Sequence, residues 1–178
     1  MKRAALFACL LAFTTPAFAQ APSATGGPIT NQAQRDATAA RVRNGASCAG
    51  CDLFQISLAY QSVAGRNFAG ARIRQADLSL ATADRANFHS ANMSLTNFFG
   101  ARLSSADLRD ANLEGATFVG AYLGGARFGG AVLNGANFSG AELADAAGLT
   151  QAQLNTACGD ATTTLPAGMT IPACGNNQ

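Results

Sequence analysis

From Leu53 onward an apolar residue recurs at every fifth position: Leu53, Leu58, Val63, Phe68, Ile73, Leu78, Ala83, Phe88, Met93, Phe98, Leu103, Leu108, Leu113, Phe118, Leu123, Phe128, Leu133, Phe138 and Leu143. Two residues before each lies a second series. From Ala71 to Ala141 fourteen of its fifteen positions are Ala, and Thr96 is the exception. A period of five matches neither the 3.6 residues of a helix nor the 2 of a strand. The chain is therefore one small unit used nineteen times, and each unit must bury its apolar residue against its neighbours. Composition narrows the function. With 48% hydrophobic and 12% charged residues the chain is not of the disordered class. It has no Trp, one His and one Lys, so it lacks the basic, aromatic surface of a nucleic-acid binder. The net charge of +2 rests on Lys2 and Arg3; without them ten Arg face ten acids.

The N-terminus reads as an export signal. Lys2 and Arg3 precede an uncharged apolar run, Ala4 to Phe13, and Ala17-Phe18-Ala19 has small residues at both ends. This order predicts a signal peptide over 1–19, cleaved after Ala19. No later apolar run is long enough to span a bilayer, so the expected mature chain is periplasmic or secreted and inserts in no membrane. Cys9 leaves with the signal. Cys48, Cys51, Cys158 and Cys174 remain, an even number suited to an oxidising compartment.

Ala106-Asp107-Leu108, Ala111-Asn112-Leu113 and Ala136-Asn137-Phe138 resemble the tandem A-(D/N)-L-x-x units of exported bacterial pentapeptide-repeat proteins, and the resemblance runs over about residues 51 to 146. It implies an all-β fold, a right-handed four-sided parallel β-helix of about five coils, with one pentapeptide per side and twenty residues per coil. Numbering the sides cyclically from Leu53 gives an independent check. All six in-register Phe fall on two opposite sides. Phe98, Phe118 and Phe138 continue Leu58 and Leu78, while Phe68, Phe88 and Phe128 share a side with Leu108. The expected divisions are a linker or N-terminal cap over 20–47 with a short helix from Gln32 to Val42, the β-helix over 48–146, and a C-terminal cap over 147–178. At the start of the repeat Cys51, Ile56, Gln61 and Arg66 replace Ala, as suits a terminal coil. Thr150-Gln151-Ala152-Gln153 has the pattern of a capping box and predicts a helix ending near Cys158, with Gly159 as its stop. A column of this kind holds Cys48 and Cys51 at one end and Cys158 and Cys174 at the other. Bonded cysteines need Cα atoms within about 7 Å, so the expected pairs are Cys158–Cys174 and Cys48–Cys51.

Several motifs carry competing readings. Cys48-Ala49-Gly50-Cys51 is a structural end-clip or, alternatively, a thiol-redox pair. A zinc site shared by the four cysteines is excluded by the length of the column. His89 faces outward as an exposed polar residue; the catalytic reading would make it a general base oriented by Asp107. Asp52, Asn67, Asp77, Asn87, Asn92, Asn112 and Asn137 suit turn bonding better than calcium. Tyr60, Leu80, Phe99 and Val119 follow the inward residue of one side in successive coils, just after it, and Leu95 lies at the corner beside them. Together they form a candidate interaction stripe for a protein partner or a second copy of the chain. No catalytic constellation, metal site or cofactor is expected. By resemblance two further roles arise. One is DNA mimicry against gyrase, for which eight acids against seven Arg in the repeat block give no DNA-like field. The other is wall or carbohydrate binding, for which exposed aromatics are few. The leading expectation is a non-enzymatic exported scaffold.

Overall fold

The computed structural model describes residues 32–175. The expected signal peptide and its expected cleavage site lie outside them, as does the part of the expected linker before Gln32. The backbone winds into a four-sided column in which each residue of a side pairs in parallel with the residue twenty further on. Side 1 runs Asp52, Arg72, Asn92, Asn112, Val132; side 2 runs Ser57, Asp77, Asn97, Thr117, Asn137; side 3 runs Ser62, Thr82, Arg102, Tyr122, Glu142; side 4 runs Asn67, Asn87, Asp107, Arg127, Ala147. Twenty residues per coil and five per side follow directly from that register.

Hydrogen bonding explains why the unit has five residues. In the unit Ala71 to Gln75, the Ala71 N–H donates to the Phe68 carbonyl and closes the corner. Arg72 donates to Cys51 in the preceding coil, and Ile73 and Gln75 donate to Asn92 and Ser94 in the next. The fourth residue of a unit has no backbone acceptor, and in units whose second residue is Asp or Asn that side chain supplies one. Asn87 accepts from the His89 N–H at 3.0 Å, Asn112 from Glu114 at 3.0 Å and Asn137 from Ser139 at 2.9 Å. Asp52, Asn67, Asp77 and Asn92 do the same. The turn-bonding role read from the sequence is thus what these residues perform. A buried N–H left unpaired would cost about 1–3 kcal/mol, which accounts for Asp or Asn beside the inward residue.

The fifth residue turns the corner in the left-handed region. Glycine fills nine of the nineteen positions, and Gln55, Tyr60, Gln75, Leu80, Arg85, Ser90, Leu95, Ser105 and Asp110 adopt the same conformation, with φ between 55° and 61°. The corner is therefore imposed by the coil and not by glycine alone. Inside, all nineteen residues of the apolar series are at most 3% exposed. Phe98, Phe118 and Phe138 stack at 4.9 Å between successive rings, and Phe68 stacks on Phe88 at 5.3 Å. Thr96, in an Ala position, is fully buried and satisfies its hydroxyl by donating to the Ile73 carbonyl at 2.7 Å.

Both ends are covered. Helix α1, Gln32–Arg43, lies against the first coil, with Val42 fully buried. Arg66 donates from Nη1 to the Val42 carbonyl at 2.5 Å, capping the last turn of α1 from an inward Ala position. At the other end α2, Gln151–Leu154, has the expected capping box between Thr150 and Gln153. It stops at Leu154, however, and does not reach Cys158. The reason is that Cys158 returns to the column, pairing with Asn137, and Thr164 pairs with Glu142. The cap is an irregular extra coil instead of a longer helix. Gln153 Nε2 donates to the carbonyls of Phe128 and Ala131 at 3.0 and 2.8 Å, and the Thr163 hydroxyl donates to that of Phe138 at 3.0 Å. The Ala131 carbonyl is one that a further coil would have met, whereas those of Phe128 and Phe138 also accept from Ala131 and Ala141 at their own corners.

Candidate interaction surface

Cys48 and Cys51 are disulfide-bonded, as are Cys158 and Cys174. Cys48 stands twenty residues before Phe68, and its N–H donates to Asn67 at 2.7 Å while Gly50 donates to Ala69 at 2.9 Å. The C-x-x-C is thus the first corner of the column. Cys48 takes an inward apolar position, Cys51 the following small position, and Gly50 the left-handed corner at φ 67°. Continuing the five-residue count back one step from Leu53 would have found this role for Cys48. The second bond ties the returning coil to the tail, where Gly159 pairs with Ala173. Its partner Cys174 lies against Asn137 Oδ1 at 3.3 Å.

His89 is on the surface of side 4. Its Nδ1 is 3.1 Å from the Arg109 carbonyl and 3.7 Å from Asp110 Oδ2. Asp107 does not orient it, because Arg109 occupies that carboxylate through Nε and Nη2 at 2.8 and 2.6 Å. The Arg109 bond holds the Asp107 carboxyl below its ordinary range, against a smaller opposing effect of burial. Further ion pairs join Arg72 to Asp52 and Arg102 to Asp84. Among the described residues no group of His, Cys, Asp or Glu is placed to hold a metal ion. A cleft of about 280 Å³ lies between α1 and the first coil, lined by Arg35, Ala39, Arg43, Asp52 and Phe54 among others. None of the sequence-predicted site residues lines it.

The stripe residues fall on two kinds of position. Phe99 and Val119 directly follow inward residues of side 2, as expected. Tyr60 and Leu80 do not: they lie two residues after Leu58 and Leu78, at the left-handed corner between sides 2 and 3. The corner residue of a pentapeptide follows the outward residue, and the two positions adjoin along the column. Leu95 occupies the opposite corner of side 2. Tyr60 is 76% exposed, Leu95 53%, Phe99 50% and Leu80 45%, while Val119 is half-buried. Leu80 lies over Gly100 of the next coil and Leu95 over Gly115. A Cβ on either glycine would come within 2.7 Å of the leucine's Cδ2. One face of each leucine thus covers backbone while the rest faces outward. Tyr122, 47% exposed on side 3, continues the apolar surface past the corner and was not among the residues read from the sequence. Its position in the outward ladder of side 3 was the available signal.

The sequence matches the family described as "Pentapeptide repeats" in eight copies, over residues 67–98, 96–135 and 121–158. These segments span more than half of the chain, which belongs to the pentapeptide-repeat family. Solved structures similar to it include a pentapeptide repeat protein of the Arabidopsis thaliana thylakoid lumen, at 26% identity, covering 65% of this chain and 74% of that one, with a TM-score of 0.40. Rfr23 from the cyanobacterium Cyanothece is similar at 24% identity, covering 76% of this chain and 99% of that one, with a TM-score of 0.31. QnrB1, a plasmid-mediated fluoroquinolone resistance protein, is similar at 17% identity, covering 66% of this chain and 84% of that one, with a TM-score of 0.30. No curated protein matches the chain.

Proposed function

We propose that this chain is a non-enzymatic exported scaffold that binds a protein through the apolar stripe on side 2 and its corner with side 3. The observation that carries the reading is the backbone under the stripe. Tyr60, Leu80 and Leu95 stand in left-handed corners that glycine fills in other coils. An L-residue there costs on the order of 1 kcal/mol relative to glycine. Neither the local fold nor solubility favours large exposed apolar side chains at such a site, whereas a contact surface does. The inward series is complete without them. Export rests on the N-terminal sequence pattern and on the even cysteine set.

The alternatives are less well supported. A reactive C-x-x-C thiolate is favoured at a helix N-terminus, but Cys48 and Cys51 form a corner turn after the C-terminal end of α1, which suits a clip. DNA mimicry would need an acidic column, whereas Asp52, Asp84 and Asp107 are each matched by an Arg.

The test is a paired substitution, Tyr60→Ser with Phe99→Ser, in the envelope of an expressing cell. The apparent mass of the native assembly is measured, together with the melting temperature of the purified chain. The expected result is loss of the larger assembly with melting unchanged within a few degrees, because surface substitutions usually stay within about 0.5 kcal/mol. An assembly of unchanged mass would refute the stripe reading. Recovery of the chain with residues 1–19 still attached, in the cytoplasm, would refute export.

A further inference from the structure

Two features of the column lie outside the stripe. The first is axial charge. Among the described residues eight Arg face four acids before residue 105, and two Arg face six acids after it. Beyond residue 127 there are three acids, Glu142, Asp145 and Asp160, and no Arg. The basic excess gathers at α1 and the first two coils, where Arg35, Arg41, Arg43, Arg66, Arg72, Arg74 and Arg85 outnumber Asp36, Asp52, Asp77 and Asp84. The column is close to neutral overall but positive at its N-terminal end and negative at its C-terminal end. Unlike charges facing each other across a contact steer and orient association.

The second feature is an unpaired β edge. In every later coil the outward residues of sides 2 and 3 bond to the coil before them. Asp77 donates to Ile56 and Thr82 to Gln61, while Leu58 and Val63 donate to the Asp77 and Thr82 carbonyls. In the first coil the equivalent residues are Ser57 and Ser62. Among the described residues the N–H groups of Ser57, Ser62 and Ala64 have no acceptor. The Ser57 carbonyl has only a 3.4 Å contact from Arg43 Nε. α1 covers part of this end, and Ser57, Ser62 and Ala64 remain exposed. At the opposite end the tail closes the edge, with Pro166 and Pro172 in it and a disulfide behind it. Exposed strand edges are usually blunted by charge or proline, and here only the C-terminal end is.

We infer that the column associates head to tail with a second copy of itself, the basic N-terminal end with its open edge receiving the acidic C-terminal end of the next chain. The open N–H groups donate to exposed carboxylates of that end, among them Glu142, Asp145 and Asp160, and the arginines of α1 balance their charge. Joining like ends would set positive against positive or negative against negative, so the contact is heterologous and does not close on itself. The inference rests on other observations than the side-2 stripe, although the stripe's Tyr60 lies between Ser57 and Ser62 in the same first coil.

The test is sedimentation velocity on the chain purified with its own N-terminus, so that any leader is processed as in the cell. The expected result is a mass that rises continuously with concentration and falls with added salt. Two charge reversals follow, each at exposed residues without strong side-chain partners: Arg41→Glu with Arg43→Glu at one end, and Glu142→Arg with Asp145→Arg at the other. Each alone should weaken self-association about tenfold or more. Mixed, the two variants should associate with each other, since the reversed ends are again complementary. Ser62→Pro removes an N–H that has no partner among the described residues and should weaken association without lowering the melting temperature. A chain monomeric up to about 1 mM at low salt, a closed dimer that does not grow, or self-association indifferent to both reversals would each overturn the inference. Loss of stripe binding in a Phe99→Ser variant, which leaves the first coil intact, would leave it untouched.

Discussion

The smallest decisions in this molecule concern single N–H groups. The pentapeptide leaves one amide per unit without a backbone partner, and in nine of the nineteen units an Asn or Asp two residues earlier accepts from it. Replacing Asn112 with Ala should therefore cost about 1 kcal/mol in denaturant unfolding. Asn112→Asp should be nearly neutral, because the carboxylate accepts the same bond from Glu114. A second residue-scale prediction concerns acid. Asp160 accepts from the Thr162 hydroxyl and N–H and from the Gly140 N–H, and these bonds hold its carboxyl below its ordinary value. A depressed folded value means that the stabilisation is present above the unfolded value and is lost as pH falls through the folded one. Amide exchange at Gly140 should accelerate on acidification through that range. Asp160→Asn should remove the dependence. The Asx pattern was legible in the sequence as turn bonding, but its partner, the fourth amide of the unit, was not. Periodicity shows which residues share a position, not which donors the ladder leaves over.

At the scale of elements, the interior follows the five-residue series closely, and the caps show where pattern reading ends. Phe118 lies between Phe98 and Phe138 in one stack. Phe118→Ala should cost about 3–5 kcal/mol, as for other large-to-small changes in a core that cannot collapse. Truncating Phe99, next in sequence to the stacked Phe98 but outside, should cost almost nothing, and the contrast checks the register. The disulfides should differ in the same assay. Cys158–Cys174 closes the longer loop, with a sequence separation of 16 against 3, and by chain entropy is worth about 3 kcal/mol against about 2 for Cys48–Cys51. Substituting both members of each pair by Ser should preserve that order of melting temperatures. The capping box of α2 was readable because it is a local device. The helix length was not, because the pairing of Cys158 with Asn137 is a long-range contact that ends the helix early. The corners show the same limit. Glycine is the residue that suits a left-handed corner, yet Tyr60, Leu80 and Leu95 take the same geometry, since the coil on either side fixes the turn. That displaced two stripe residues from the outward position to the corner and left Tyr122 unnoticed.

At the scale of the whole molecule the column buries its chemistry and presents its surfaces. Asp52, Asp84 and Asp107 on its walls are matched by arginine, the four cysteines among the described residues are paired, and its one histidine faces a carbonyl and an exposed aspartate. What remains distinctive is apolar surface on one edge of an otherwise polar wall, which the account takes as the working face of an exported scaffold. The measurement that tests this most directly is site-specific photo-cross-linking in the native envelope, with the cross-linker at Phe99 and a control at Asn134 on side 1. The account predicts a discrete adduct from position 99 and none from position 134, its mass giving either a dimer or a foreign protein. Equal labelling from both positions, or no adduct from position 99, would contradict it.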